Sequence, residues 1–227
     1  MCGRYSLATP PEDLAERFGV SVPDDLEPRY NCAPGQELPV ITDRAPDRVE
    51  RLEWGLIPEW AEDDARAAIN ARSETVAEKP TFADAFERRR CLVPADGFYE
   101  WADRGGGKRP YRVAFDDDRP FAMAGIWDRW TPPTTQATLG DAGDVEPEPR
   151  ETFAVVTCEP NDLVAGLHDR MAVILDPAEE RRWLDAPPAE ADDLLEPYPA
   201  DEFRAYPVPR AVGDVSNDSP DLIEPAG

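Results

Sequence analysis

Cys2 follows the initiator methionine, and if Met1 is removed it carries a free α-amine beside its thiol. Its side chain is small enough for a methionine aminopeptidase to clear Met1. A 1,2-aminothiol has chemistry that an internal cysteine lacks: the amine condenses with an aldehyde to an imine, and the thiol closes a five-membered thiazolidine ring. Reference pKa values of about 7.7–8.0 for an α-amine and about 8.5 for a thiol put both reactive forms within reach of neutral pH. The plainer alternative is a cysteine that packs as a small hydrophobe. Three other regions set polar groups beside aromatic ones. Trp54-Gly55-Leu56-Ile57-Pro58-Glu59-Trp60 precedes Asn70-Ala71-Arg72-Ser73-Glu74, where Asn70 and Arg72 face one side if the backbone is extended. In Pro94-Ala95-Asp96-Gly97-Phe98-Tyr99-Glu100-Trp101, the rings flanking Glu100 would desolvate its carboxylate and raise its pKa, unless the strand turns it to water. In Leu167-His168-Asp169-Arg170-Met171, His168 is the single imidazole of the chain, either an acid–base group or a satisfied structural residue. Trp54 and Trp60 are core residues or, if exposed, stacking platforms for bases.

Elements to hold these groups can be read from patterning. Thr9-Pro10-Pro11-Glu12 opens a helix with a Thr cap and Pro at its first position, Leu14 and Phe18 share a face, and Gly19 ends it. Residues 22–36 read as a loop. Strands are expected at 38–42, 49–56, 110–115, 121–127, 152–158, 171–175 and 203–207. Further helices are expected at 81–89, from Asp176-Pro177 with Glu179 in the capping-box position, and at 189–196. Many strands with few helices predict one α+β domain over residues 2–223, a bent mixed or antiparallel sheet or barrel with flanking helices. Residues 131–150 are an acidic, flexible insertion within it, and the tail after Pro220 is expected to fray.

Composition narrows the setting. Forty-eight acidic residues against 24 basic give a net charge of −24, and only Lys79 and Lys108 among the basic residues are lysines. A core-forming chain this acidic and lysine-poor suits a salt-loaded cytoplasm, with an acidic partner-binding surface as the competing reading. Residues 1–135 hold 18 basic and 26 acidic side chains, the rest 6 and 22, so a basic patch can survive in the first part. No run approaches the roughly 18 apolar residues of a membrane span, and no secretory signal opens the chain, so a cytoplasmic location without a membrane partner is expected. Cys2, Cys32, Cys91 and Cys158 are scattered, which argues against a zinc site and a disulfide framework. Three of them are expected to be structural thiols, and no metal or other cofactor is expected.

The start MCGRY, then WGLIPxW, NARSE, GFYEW and HxRM, in that order, resemble the SOS-response-associated peptidase (SRAP) family of abasic-site processing proteins. Tyr30-Asn31-Cys32-Ala33-Pro34 and the segment from Val212 to Pro220 resemble two further motifs, so the likeness spans almost the whole chain. It implies that N-terminal Cys2 attacks the open-chain aldehyde of an abasic site in single-stranded DNA and forms a thiazolidine crosslink. Asn70 would bind the reacting sugar, Glu100 would shuttle protons in imine formation and Met1 removal, and His168 would open the sugar ring and assist reversal. Arg4, Arg72 and Arg170 would bind phosphates, with Trp54 wedging the bases. An imine also permits β-elimination, so AP-lyase activity is a natural side reaction. The resemblance suggests a monomer. One departure is Ala172, where the family has proline after HxRM, which bears on the rigidity of that loop. Two other readings stay open: a cysteine-type peptidase acting mainly on its own Met1, and a non-covalent reader of modified bases.

Overall fold

The computed structural model describes residues 3–64, 67–103, 105, 107–133 and 147–226. Its strands in chain order are β1 (Tyr5–Leu7), β2 (Arg29–Cys32), β3 (Glu37–Thr42), β4 (Glu50–Trp54), β5 (Asn70–Arg72), β6 (Arg90–Ala95) and β7 (Gly97–Asp103). They continue with β8 (Lys108–Phe115), β9 (Phe121–Trp130), β10 (Arg150–Cys158), β11 (Met171–Ala172), β12 (Ile174–Leu175) and β13 (Phe203–Pro207). Four short helices flank them: α1 (Pro11–Phe18), α2 (Ala83–Arg88), α3 (Glu180–Asp185) and α4 (Pro188–Asp192).

The sheet closes because β10 has partners on both edges. It runs antiparallel to β9 and parallel to β4, and β4, β3, β6 and β9 pair in turn, giving a closed five-stranded barrel. A strand inside such a closure is covered on both faces, so Phe153–Cys158 form a continuous buried run rather than an alternating one. Gly125 of β9 lies opposite Cys91, where an added Cβ would come within 2.7 Å of the Cys91 sulfur. A second sheet, in the order β13-β8-β7-β1-β2, lies against the barrel, and Tyr5 meets Trp54 with ring centroids 5.3 Å apart. At a lateral edge of this core, Phe115, Phe121, Tyr198 and Phe203 pack edge-on and stacked.

The expected α+β barrel-like architecture is the one observed, and each of the seven expected strand regions holds a strand. Residues 22–36, expected as a loop, contain β2, because antiparallel pairing with β1 recruits a segment of weak local propensity. The α1 cap differs too. Pro10 rather than Thr9 takes the cap position, while Thr9 donates through its backbone and hydroxyl to Asp96, at 2.8 and 3.1 Å. Gly19 ends α1 in the left-handed conformation, as its φ of 64° requires. α3 begins after a turn in which the Asp176 carboxylate accepts the Ala178 N–H. The tail does not fray: Leu222 is buried, Tyr206 donates to the Ile223 carbonyl at 2.9 Å, and Ala226 N–H bonds Pro207 O at 2.8 Å. Of the insertion, β9 and β10 frame 131–150, and residues 134–146 lie outside the described residues.

Candidate active site

β1 and β7 bring the start of the chain to Glu100. Tyr5 pairs with Phe98, Ser6 with Gly97, and the Tyr99 N–H donates to the Arg4 carbonyl at 2.9 Å. Continued in the same direction, that pairing runs toward Gly3 on one strand and Glu100 on the other. Cys2 itself lies outside the described residues. Alternation along β7 turns Glu100 to the barrel side with Phe98, and Tyr99 to the other face. Glu100 is only 2% exposed. Burial pushes its pKa up to about 7, the charge of the amino terminus pulls it down, and Asp169 raises it against Lys108. The carboxyl group can therefore give or take a proton near neutrality.

β5 and β11 come from distant parts of the chain and meet on β10. Asn70 pairs with Val155 and Arg72 with Thr157, while Thr157 also pairs with Ala172 of β11. Ala172 is fully buried, so the segment that lacks the expected proline is held by sheet pairing instead. Gly55 makes the return to β10 possible: with φ at 145° it ends β4, donates to Phe153 O at 2.9 Å, and starts the excursion that comes back at Asn70. Asn161 fixes the turn before His168, accepting the Val164 N–H at 3.0 Å and donating to Tyr198 O at 2.8 Å.

His168 is half-buried, and its Nδ1 accepts the Arg170 N–H at 3.0 Å. Burial, the amino-terminal charge and Lys108 lower its pKa, against the opposing effect of Asp169. A neutral ring whose Nδ1 accepts carries its proton on Nε2. The 2.8 Å contact between Nδ1 and Asp169 Oδ1 becomes a hydrogen bond once the ring is doubly protonated. Glu100 of β7 and His168 of the loop before β11 thus share Asp169 and Lys108 as electrostatic neighbours.

The residues expected to hold DNA separate into different environments. Trp54 is 0% exposed, donates its indole N–H to Ile69 O at 2.8 Å and stacks on Phe153. It is a core residue and has no face to offer a base, which corrects the expectation that it wedges the strand. Trp60, from the same segment, is 65% exposed and donates to Pro80 O at 3.3 Å. Arg72 is exposed. Arg170 is buried, its guanidinium on both oxygens of Glu74 and on Thr157 O. Arg4 donates to Asn31 Oδ1 at 2.6 Å and to Val212 O at 2.7 Å. Sequence reasoning gave no individual role to Glu74, Asp169, Lys108 or Asn31. Asp169, Glu74 and Asn31 lie inside motifs already noticed, whereas Lys108 joins the site only through the β7–β8 hairpin.

The three described cysteines are buried and suited to structure rather than attack. Burial raises the pKa of Cys32 and Cys91 and pushes that of Cys158 up to about 12.

Comparison with known proteins gives a consistent picture. The family described as SOS response associated peptidase (SRAP) matches residues 1–215. The chain is 38% identical to the abasic site processing protein YoqW of Bacillus subtilis over 99% of each chain. It is 33% identical to the abasic site processing protein YedK of Escherichia coli, over 99% of this chain and all of that one. A crystal structure of a protein from Bacteroides thetaiotaomicron superposes with a TM-score of 0.86 at 29% identity, covering 99% of this chain and all of that one.

Proposed function

Because the chain belongs to the SOS response associated peptidase family, we propose that it processes abasic sites in DNA and does so by covalent capture through Cys2. The observation that most supports this reading is the β1–β7 register, which pairs the first strand with the one that carries Glu100, a buried carboxyl group whose pKa burial raises to about 7. Relatives named as abasic site processing proteins supply the substrate class.

The chemistry follows from the residues. An abasic sugar is mostly a closed ring; His168 in its doubly protonated form, with Nδ1–H on Asp169, gives its Nε2 proton to the ring oxygen while the anomeric hydroxyl gives its proton to water, and the aldehyde forms. The α-amine of Cys2 adds to the aldehyde carbon, and Glu100 carries its two N–H protons in turn to the former carbonyl oxygen, first making the carbinolamine hydroxyl and then releasing it as water to leave an imine. The Cys2 thiol then adds across the C=N bond, its proton passing to nitrogen, and the thiazolidine closes. Asn70 supplies amide hydrogen-bonding groups on the strand facing this chemistry. Holding amine, thiol and aldehyde together is worth up to about 7–11 kcal/mol in well-oriented systems. If the thiol is slow, the imine allows loss of the 3′ phosphate, giving lyase products.

We take single-stranded DNA as the substrate form. Trp60 offers an exposed ring on the excursion that leads into Asn70, and Arg72 offers an exposed guanidinium at the strand end. Trp60 thus takes the stacking role expected of Trp54, while buried Arg170 and half-buried Arg4 hold protein groups. The net charge of −24 opposes DNA at low ionic strength, which fits a protein working as a monomer in a salt-rich cytoplasm.

The test is a denaturing gel with single-stranded DNA carrying one abasic site. The processed protein should give a denaturation-resistant adduct, Cys2→Ser a labile imine at most, and a variant that retains Met1 neither. Absence of any adduct at low and high salt would sink the covalent reading. Cys2-dependent cleavage of unrelated peptides would instead favour a peptidase, and binding without adduct a reader of modified bases.

A further inference from the structure

The C-terminal segment from Val208 to Ala226 lies on the face of the second sheet opposite Glu100. There Val208, Val212 and Leu222 form a small separate core with Tyr99, the residue next to Glu100. Its polar attachment converges on one buried side chain, Asn31 of β2. The Asn31 amide nitrogen donates toward Asn217 O at 2.7 Å, Asp214 O at 3.0 Å and Val212 O at 3.3 Å. Its oxygen accepts from Arg4 at 2.6 Å. An amide has two N–H donors for these three carbonyls and one oxygen for the guanidinium, so no other side chain of its size serves both sides. Arg4 completes the loop by donating to Val212 O at 2.7 Å and Gly213 O at 3.1 Å. Asp218 fastens the same segment to the neighbouring residues, accepting the Tyr30 N–H at 2.6 Å and pairing with Arg29 at 2.5 Å.

From this geometry we infer that Asn31 is a positioning residue: through Arg4 it ties the C-terminal strap to the strand from which Cys2 extends, and so aims the aminothiol at Glu100. The need is plain in β1. That strand is three residues long, its pairing with β2 shifts register between Tyr5 and Leu7, and Gly3 has no side chain to anchor it. Among the described residues, Arg4 is therefore the side-chain anchor nearest the reactive terminus. The strap also backs Tyr99, whose hydroxyl donates to Tyr30 O at 2.6 Å, so one element braces both strands that carry the chemistry.

This inference rests on the crosslinking reading, and its test separates the two. Asn31→Ala and the milder Asp218→Asn are compared with wild type in three measurements. Single-turnover crosslinking to abasic single-stranded DNA should slow by about 10- to 100-fold for Asn31→Ala, the scale of a 1 Å misplacement of a reacting group. Binding of the same DNA with a tetrahydrofuran analogue, which has no aldehyde, should change less than about threefold. Amide hydrogen exchange should rise both in 208–226 and in 4–6. Asp218→Asn should show the same pattern in weaker form, and it stands in if Asn31→Ala does not fold. Unchanged crosslinking in the folded variants, or a rise in exchange confined to the C-terminal segment, overturns the inference. If wild type forms no adduct, the crosslinking reading falls by itself, and exchange in 4–6 still decides whether the strap anchors the N-terminal strand.

Discussion

Arg170 grips Glu74 with both ends of its guanidinium and at the same time donates to the Thr157 carbonyl, so one side chain joins the turn after β5, the end of β10 and the loop of His168. The two segments are 96 residues apart in sequence. Each carries a proposed reactive group, Asn70 on one and His168 on the other, and the ion pair sets their separation.

Breaking that pair should therefore cost both stability and rate. Glu74→Gln keeps the shape but leaves a buried guanidinium without its counter-charge, for a loss of about 1–3 kcal/mol in urea unfolding, the lower end reflecting the half-exposed carboxylate. Arg170→Lys should behave similarly, since an ammonium cannot make the bidentate contact. Crosslinking should slow more than DNA binding weakens. If Arg170→Lys lowers only DNA affinity and leaves unfolding untouched, Arg170 is a phosphate ligand first.

Glu100 should trade stability for reactivity. Its pKa is raised from about 4.5 to about 7 on folding, so the folded state holds the proton more tightly and stability falls as pH rises through that interval. Below about pH 4.5 both states are protonated and the effect vanishes. Glu100→Gln should accordingly be more stable than wild type by up to about 3 kcal/mol at pH 8, with the gain gone near pH 4. Its crosslinking rate should drop by about 10²–10⁴. Chemical denaturation across pH measures the first, and single-turnover kinetics the second.

The two tryptophans of the first aromatic motif should separate cleanly. Trp54→Ala removes a fully buried ring and should cost about 3–5 kcal/mol of stability. Trp60→Ala should change stability little but weaken binding of single-stranded DNA by about 1–3 kcal/mol if one base stacks on it. Unchanged affinity would remove Trp60 from the binding surface.

The charge of −24 should make folding salt-dependent. Raising potassium chloride from about 0.1 to about 1 M shortens the screening length from about 10 to about 3 Å and relieves self-repulsion, so the thermal midpoint should climb. Salt also weakens Arg–phosphate contacts, so crosslinking should pass through an optimum rather than rise throughout. A midpoint that is flat or falls with salt contradicts adaptation to a salt-rich interior.

Much of this was legible in the sequence because it is local. Gathered aromatic and β-branched residues announce β9, β10 and β13; Gly19 announces the end of α1; the aromatic neighbours of Glu100 foretell a desolvated carboxyl. The motif order points to the family and to Cys2, Asn70, Glu100 and His168 as a group. What the tertiary structure alone decided is which member of a local pattern faces which way and what it meets. Trp54 and Trp60 look alike in sequence, but barrel closure on Phe153 buries one and leaves the other outside. Arg4 and Arg170 read as phosphate ligands, yet Asn31 and Glu74, distant in sequence, take their guanidinium groups. The tail looked loose because its few apolar residues are spaced widely, and only the sheet face beneath supplies Tyr99 for Val212 and Leu222 to cover. Residue type and spacing fix what a side chain is able to do, whereas burial and long-range partners, which depend on chain closure, fix what it does.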